Sequence, residues 1–318
     1  MSTTSSSSHP GTQAAGVPQP EQSFDVSLSD GVSLQVRRYG IGKGPCLLIT
    51  HGNGFAIDGY RVFWQPLLEQ FELALFDMRN HGRTAPSGAD GHNYQQLARD
   101  IGSVQAALRN RLAPGQKLVG VFHSASSRSA LKHAVQMGGV WDALILFDPP
   151  SVPPRGHALY DAMHAFEMRL VEFACGRPDR FDSAEGMVSY YQASRACGRW
   201  QAQAIEDMGR AVVRPGSAAE GGGWVLSCQR ELEASIYLAA LTLDLWPSAS
   251  LVKCPVKLIG ADPELKGNPP TGVANQALAR EHGYAYEFVP QTGHLLQVER
   301  PQECREAMLS FLREQGVV

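Results

Sequence analysis

Six short apolar runs, at residues 46–50, 73–76, 118–122, 144–147, 256–259 and 286–289, constrain the fold more than any other feature of the chain. Each is nearly continuous rather than alternating, the pattern of a strand buried on both faces. Segments with helical spacing lie between them. Residues 94–112 put Leu97, Ile101, Val104 and Leu108 on one face, and 128–137, 273–282 and 301–312 repeat the pattern. Strand and helix in alternation predict right-handed βαβ units. Upstream, 24–28 and 32–39 alternate apolar and polar residues about Ser29-Asp30-Gly31, which predicts an antiparallel hairpin. The expected fold class is therefore α/β: a mostly parallel, doubly wound sheet of about eight strands.

The alternation stops at Asp148-Pro149-Pro150-Ser151-Val152-Pro153-Pro154 and resumes near residue 251. The stretch between has no buried-strand run. Its patterns are helical, at 157–174, 184–196 and 200–213, followed by Gly221-Gly222-Gly223. It reads as a helical cap, 150–250, inserted between the sixth and seventh sheet strands, with a core formed by 23–149 and 251–318. The later strands need the earlier ones to pair with, which argues against a separate domain. Residues 1–22 are rich in Ser, Thr, Pro, Gly and Gln and read as a disordered tail, not a signal peptide.

With 43% hydrophobic and 19% charged residues, the 318-residue chain can bury a sizeable core. A formal net charge of -3 gives no footprint for nucleic acid or a membrane surface. No run approaches the roughly 20 apolar residues of a membrane span. The six cysteines lack any C-x-x-C pair, so neither a metal site nor a redox motif is indicated, and the usage fits the cytoplasm. No cofactor is expected, and the partner expected is a small-molecule substrate; a homodimer is compatible with the composition.

The chemistry-bearing motif is Val119-Gly120-Val121-Phe122-His123-Ser124-Ala125-Ser126-Ser127, where an apolar run breaks at a serine and becomes helical. A serine on a strand-to-helix turn is lifted above the sheet edge, beside backbone N–H groups that can stabilise an oxyanion. The usual G-x-S-x-G pattern has lost both glycines, to Phe122 and Ser126, so Phe122 must point into a gap or toward the pocket. Companions follow in order: His51-Gly52-Asn53-Gly54 ends a strand, Asp262 closes another, and Thr292-Gly293-His294 precedes the last helix.

With Asp77-Met78-Arg79-Asn80-His81-Gly82-Arg83-Thr84 after the second run and Glu299-Arg300-Pro301 after the late histidine, residues 24 to 314 resemble the α/β-hydrolase superfamily. The resemblance implies that fold and a serine mechanism without a cofactor. Ser124 is the expected nucleophile and His294 the general base, because imidazole titrates near working pH. Asp262 is the expected orienting acid; Asp148, ending the preceding strand, is its rival, and Glu264 is a third choice. Oxyanion donors are expected from Ala125 and from Asn53 or Gly54, which sequence does not separate. Asp77 and Arg79 read as a structural pair, His51 and His81 as loop braces, and His123 as packing. Cap residues Tyr160, Met163, Phe166, Met168, Phe173, Tyr190, Tyr191 and Trp200 together suggest a medium-sized apolar substrate. The expected activity is hydrolysis of a carboxylic ester or lactone. A thioesterase or C–C bond hydrolase is the enzymatic alternative, and a catalytically silent binding protein is the alternative from another class.

Overall fold

The computed structural model describes residues 16–318. Its centre is an eight-stranded sheet built from β1 (Gln22–Ser27), β2 (Ser33–Tyr39), β3 (Cys46–Ile49), β4 (Glu72–Leu75), β5 (Leu118–His123), β6 (Ala143–Phe147), β10 (Val256–Gly260) and β11 (Ala285–Phe288). The spatial order is β1-β2-β4-β3-β5-β6-β10-β11. β1 pairs antiparallel with β2, and β2 antiparallel with β4; every other pairing is parallel. All eight expected strands are present, and the doubly wound arrangement holds.

The continuous apolar runs have a simple cause. Leu47 and Ile49 of β3 face a layer with Phe63 and Trp64 of α1 (Arg61–Trp64) and Met308 and Phe311 of α10 (Pro301–Glu314). Cys46 and Leu48 face the other way, toward Ile101 and Val104 of α2 (Tyr94–Arg109), Leu131 of α3 (Ala125–Gln136) and Leu278 of α8 (Thr271–His282). With successive side chains pointing to opposite faces and both faces covered, β3 is apolar throughout. Each fully buried large side chain contributes about 1.5–3 kcal/mol. Local signals mark the helix ends: the Asn93 side chain accepts the Gln96 N–H at 3.0 Å to start α2, and left-handed Gly283 ends α8.

Between β6 and β10 the chain forms α4 (Tyr160–Gly176), α5 (Ala184–Ala193) and α6 (Ala202–Ala211), where the helical spacing predicts them, and α7 (Arg230–Ala240), beyond the patterns read from sequence. It also forms a small antiparallel sheet, β7 (Arg180–Phe181), β8 (Val213–Pro215) and β9 (Trp224–Leu226), in the order β7-β9-β8. That corrects the all-helical reading of the segment. Strands of two or three residues are too short to show a period of two. Gly221, Gly222 and Gly223, all at positive φ, make the turn that leads into β9. Ion pairs tie this segment to the core: a part-buried one from Arg61 to Asp207 at 2.8 Å, and a buried one from Arg128 of α3 to Glu167 of α4.

The tail expected over 1–22 lies, for residues 1–15, outside the described residues. Over 16–22 the chain is anchored at two points: Val17 is buried in the core, and the Glu21 carboxylate accepts the Gly40 N–H at 2.7 Å. Among the described residues, no helix is long and apolar enough to cross a membrane.

Candidate active site

Ser124 sits between β5 and α3 at φ 55°, ψ -117°, a conformation costly for a residue with a Cβ. Among the described residues only four non-glycines have positive φ: Asn80, Ser124, Asp148 and Gln291. All four belong to loops at one end of the sheet that hold or adjoin the site. The lost glycines of the elbow are compensated locally. Phe122 points into the core, edge-on to Trp141 at 5.6 Å between ring centroids. The space comes from Gly120, where a Cβ would lie 2.5 Å from the Phe122 ring. Ser126 is drawn into the turn, its hydroxyl accepting the His123 N–H at 3.0 Å and donating to the His123 carbonyl at 2.9 Å. On the facing strand end Gly52 has to be glycine, since a Cβ there would lie 3.1 Å from Ser124 Cβ and 2.8 Å from His123 Nδ1.

The loop after β11 brings His294 over the elbow. Ser124 Oγ–H donates to His294 Nε2 at 2.9 Å, and His294 Nδ1–H donates to Asp148 Oδ2 at 2.6 Å. Asp148 Oδ1 accepts the Ala261 N–H at 3.0 Å and Asn275 Nδ2 at 2.8 Å. Because a carboxylate only accepts, these bonds put the proton on Nδ1 and leave Nε2 free to receive one from serine. Burial alone would raise the Asp148 pKa, but the bonds from His294 and the Ala261 N–H prevail and hold it below the ordinary aspartate value. The carboxylate is wholly buried, Ser124 is 4% exposed, and the His294 side chain 14%.

Asp262 is therefore not the partner of His294. Its carboxylate accepts the Glu264 N–H through Oδ1 and the Gln291 N–H through Oδ2, each at 2.9 Å, and so closes the loop that carries the histidine. The carboxylate that meets His294 lies at the end of β6, one strand nearer the elbow.

The oxyanion candidates separate as well. Gly54 N–H donates to His81 Nε2 at 3.0 Å, so it is already committed. Among the described residues no protein acceptor takes the N–H of Asn53 or of Ala125. The Asn53 side chain is fixed from α7, donating to the Glu233 carbonyl at 2.8 Å. The Glu233 carboxylate covers Gly54 closely enough that a Cβ there would meet it at 2.4 Å, and it pairs with Arg177 at 2.8 Å. His81 has to be neutral to accept from Gly54. Burial, with His51 and His92 nearby, pushes its pKa well below 6.5.

Other sequence readings fare unevenly. Arg79 pairs with Asp100 at 2.6 Å and Asp30 at 2.8 Å rather than with Asp77. Asp77 instead accepts the Ile57 and Arg83 N–H groups. His51 and His81 both brace loops: His51 lies 2.7 Å from the Gly52 carbonyl and accepts the Met78 N–H at 3.1 Å. His123 does more than pack, since its Nε2 reaches the His294 carbonyl at 2.9 Å. The packing role read from sequence leaves this bond out, because it depends on the loop after β11 returning over the elbow. Of the aromatic residues in the insert, Phe166 lies edge-on to the His294 ring at 6.3 Å. Tyr191 and Trp200 pack on each other, Met163 is buried in the core, and Phe173 is half exposed.

Fold and site together define a hydrolase architecture, and comparison with known proteins agrees. The sequence profile of the alpha/beta hydrolase family matches residues 47–307, and the chain belongs to that family. Protein phosphatase methylesterase 1 of Rattus norvegicus is 29% identical over 150 residues, 46% of this chain and 36% of that protein. A putative esterase/lipase of Haemophilus influenzae is 26% identical over 120 residues, 38% of this chain and 39% of that protein. The matches thus span well under half the length of these relatives. Among solved structures, E-2-(acetamidomethylene)succinate hydrolase superposes with a TM-score of 0.72 at 19% identity, covering 92% of this chain and 99% of that one.

Proposed function

We propose that the protein is a cofactor-independent serine hydrolase of carboxylic esters or lactones. The observation that carries the reading is the unbroken chain Ser124 Oγ–His294 Nε2/Nδ1–Asp148, with links of 2.9 and 2.6 Å. In this mechanism the Ser124 oxygen attacks the ester carbonyl carbon while its proton passes to His294 Nε2. Asp148 holds the resulting imidazolium. The oxyanion accepts from Ala125 N–H and Asn53 N–H, the two donors left uncommitted, each worth roughly 3 kcal/mol in a hydrolase. His294 then gives its proton to the leaving alkoxide, forming alcohol and acyl-serine. Water, deprotonated by His294, attacks the acyl carbon and releases the carboxylic acid, and the proton returns to Ser124. Every proton is accounted for, and no electron acceptor is required.

The esterase names of the partly matching relatives support an ester over a thioester or carbon–carbon bond. The insert serves in this reading as a cap. Phe166 against His294, with Ile236 and Ala240 packed on Ala125, supplies apolar walls. A fluorophosphonate probe should label the parent enzyme on Ser124. Ser124→Ala should abolish labelling and lower p-nitrophenyl ester turnover by several orders of magnitude, and His294→Ala added to it should cost little more. An unlabelled but folded parent would make the protein a binding module.

A further inference from the structure

We infer that His123 is a positioning residue for the general base, the middle of a strut that ties the oxyanion strand end to the main chain of His294. The inference rests on the Ser124–His294 reading above and goes beyond it, because His123 touches no reacting atom.

The hydrogen bonds run in one direction. Gly52 N–H donates to the Tyr60 hydroxyl oxygen at 3.3 Å. The Tyr60 hydroxyl lies 2.8 Å from His123 Nδ1, and His123 Nε2 lies 2.9 Å from the His294 carbonyl. A carbonyl oxygen only accepts, so the His123 proton is on Nε2; Nδ1 is then an acceptor and Tyr60 is its donor. The chain therefore reads Gly52 N–H to Tyr60 O–H to His123 to the His294 carbonyl, with each group satisfied. It joins the ends of β3 and β5 to the loop after β11, the same three segments that supply the oxyanion loop, the nucleophile and the base. The imidazoles of His123 and His294 lie 4.9 Å apart between centroids. Both members of the strut are fully enclosed, Tyr60 at 1% exposure and His123 at none.

Enclosure has a chemical consequence. Burial first, and the nearby His294 second, push the His123 pKa down to about 3. It stays uncharged while its neighbour cycles through imidazolium, so the strut keeps one tautomer throughout turnover. The anchor acts on the backbone of His294 while Asp148 acts on its ring. Together they limit both translation of the residue and rotation of the imidazole. A base displaced by about 1 Å can cost on the order of 100-fold in rate.

The test is the rate per active site, which a ring that only fills space would not control. His123→Phe keeps the ring volume and removes both bonds. Titrating active sites with a fluorophosphonate corrects for any misfolded fraction. The expected kcat per titrated site falls by about 30- to 100-fold with KM little changed, and the labelling rate of Ser124 falls in parallel. His123→Gln, which retains a donor and an acceptor, should recover much of the loss, and Tyr60→Phe should cost less than His123→Phe. An unchanged kcat per site in His123→Phe, even with a lowered melting temperature, would overturn the inference. Should His123→Phe fail to fold, Tyr60→Phe decides by the same readout. Full turnover in Ser124→Ala would instead overturn the hydrolase reading itself.

Discussion

Two buried aspartates end neighbouring parallel strands, Asp148 after β6 and Asp262 two residues after β10, and they do different work. Asp148 has φ 39°, and its carboxylate divides between the His294 ring and the groups that fix the carboxylate itself, Ala261 N–H and Asn275. Asp262 spends both oxygens on backbone N–H groups of its own loop and of the loop before His294. One orients the imidazole, and the other shapes the path of the chain that delivers it. Position at a strand end therefore does not identify the acid; the unused acceptor capacity pointing at the imidazole does.

The largest effect is expected at Asp148. Asp148→Asn should lower kcat/KM by roughly 10⁴-fold, because an amide in its place favours the wrong histidine tautomer. A loss under tenfold in a folded variant, measured with a p-nitrophenyl ester, would show that the imidazole does not depend on this carboxylate.

The next effect concerns what the strand ends leave room for. Gly52→Ala would push a Cβ against Ser124 and His123, and a 1 Å displacement there should cost about 100-fold in kcat/KM. Normal turnover would mean that the oxyanion strand end can yield without disturbing the elbow.

Acid stability separates the carboxylate from the buried imidazoles. The pKa of His92 is lowered to about 4 and that of His123 to about 3, chiefly by burial, from 6.5. A histidine depressed in the folded state leaves the unfolded chain to take up protons first. Its stabilisation is full above about pH 6.5 and is lost as pH falls toward the folded values. At about 1.4 kcal/mol per pH unit for each group, the pair should cost roughly 4 kcal/mol by pH 5, and His81 adds in the same direction. Asp148 acts later: its depressed pKa means stability is lost only below the ordinary aspartate range. Melting temperature should therefore fall markedly between pH 7 and 5, and a flat profile there would contradict the buried neutral imidazoles.

Asp262→Asn should have the smallest effect. The amide oxygen can still accept one backbone N–H, so the expected cost is about 1–2 kcal/mol, a few degrees in melting temperature, with kcat within tenfold of the parent. A 10⁴-fold loss of kcat would return the acid to β10.

The sheet was legible because a strand covered on both faces writes itself as a continuous apolar run, and the elbow because a serine interrupts one. Ser124 and His294 meet as their motifs imply. Which aspartate meets His294 was not legible: Asp148 and Asp262 each follow a strand, and the choice depends on how Gly260-Ala261 and Asn275 fold around them. Nor could Gly54 be separated from Asn53 without knowing that His81 takes the Gly54 N–H. The role of Phe122 could have been read from Gly120, two residues earlier on the same face, which supplies the missing space. Strands as short as β7 leave no periodic trace.

Nitrogen NMR of the His294 imidazole in the resting enzyme tests the Asp148 pairing most sharply. A proton is expected on Nδ1 and none on Nε2, unchanged in Asp262→Asn and reversed in Asp148→Asn. A tautomer that survives Asp148→Asn but reverses in Asp262→Asn would contradict it.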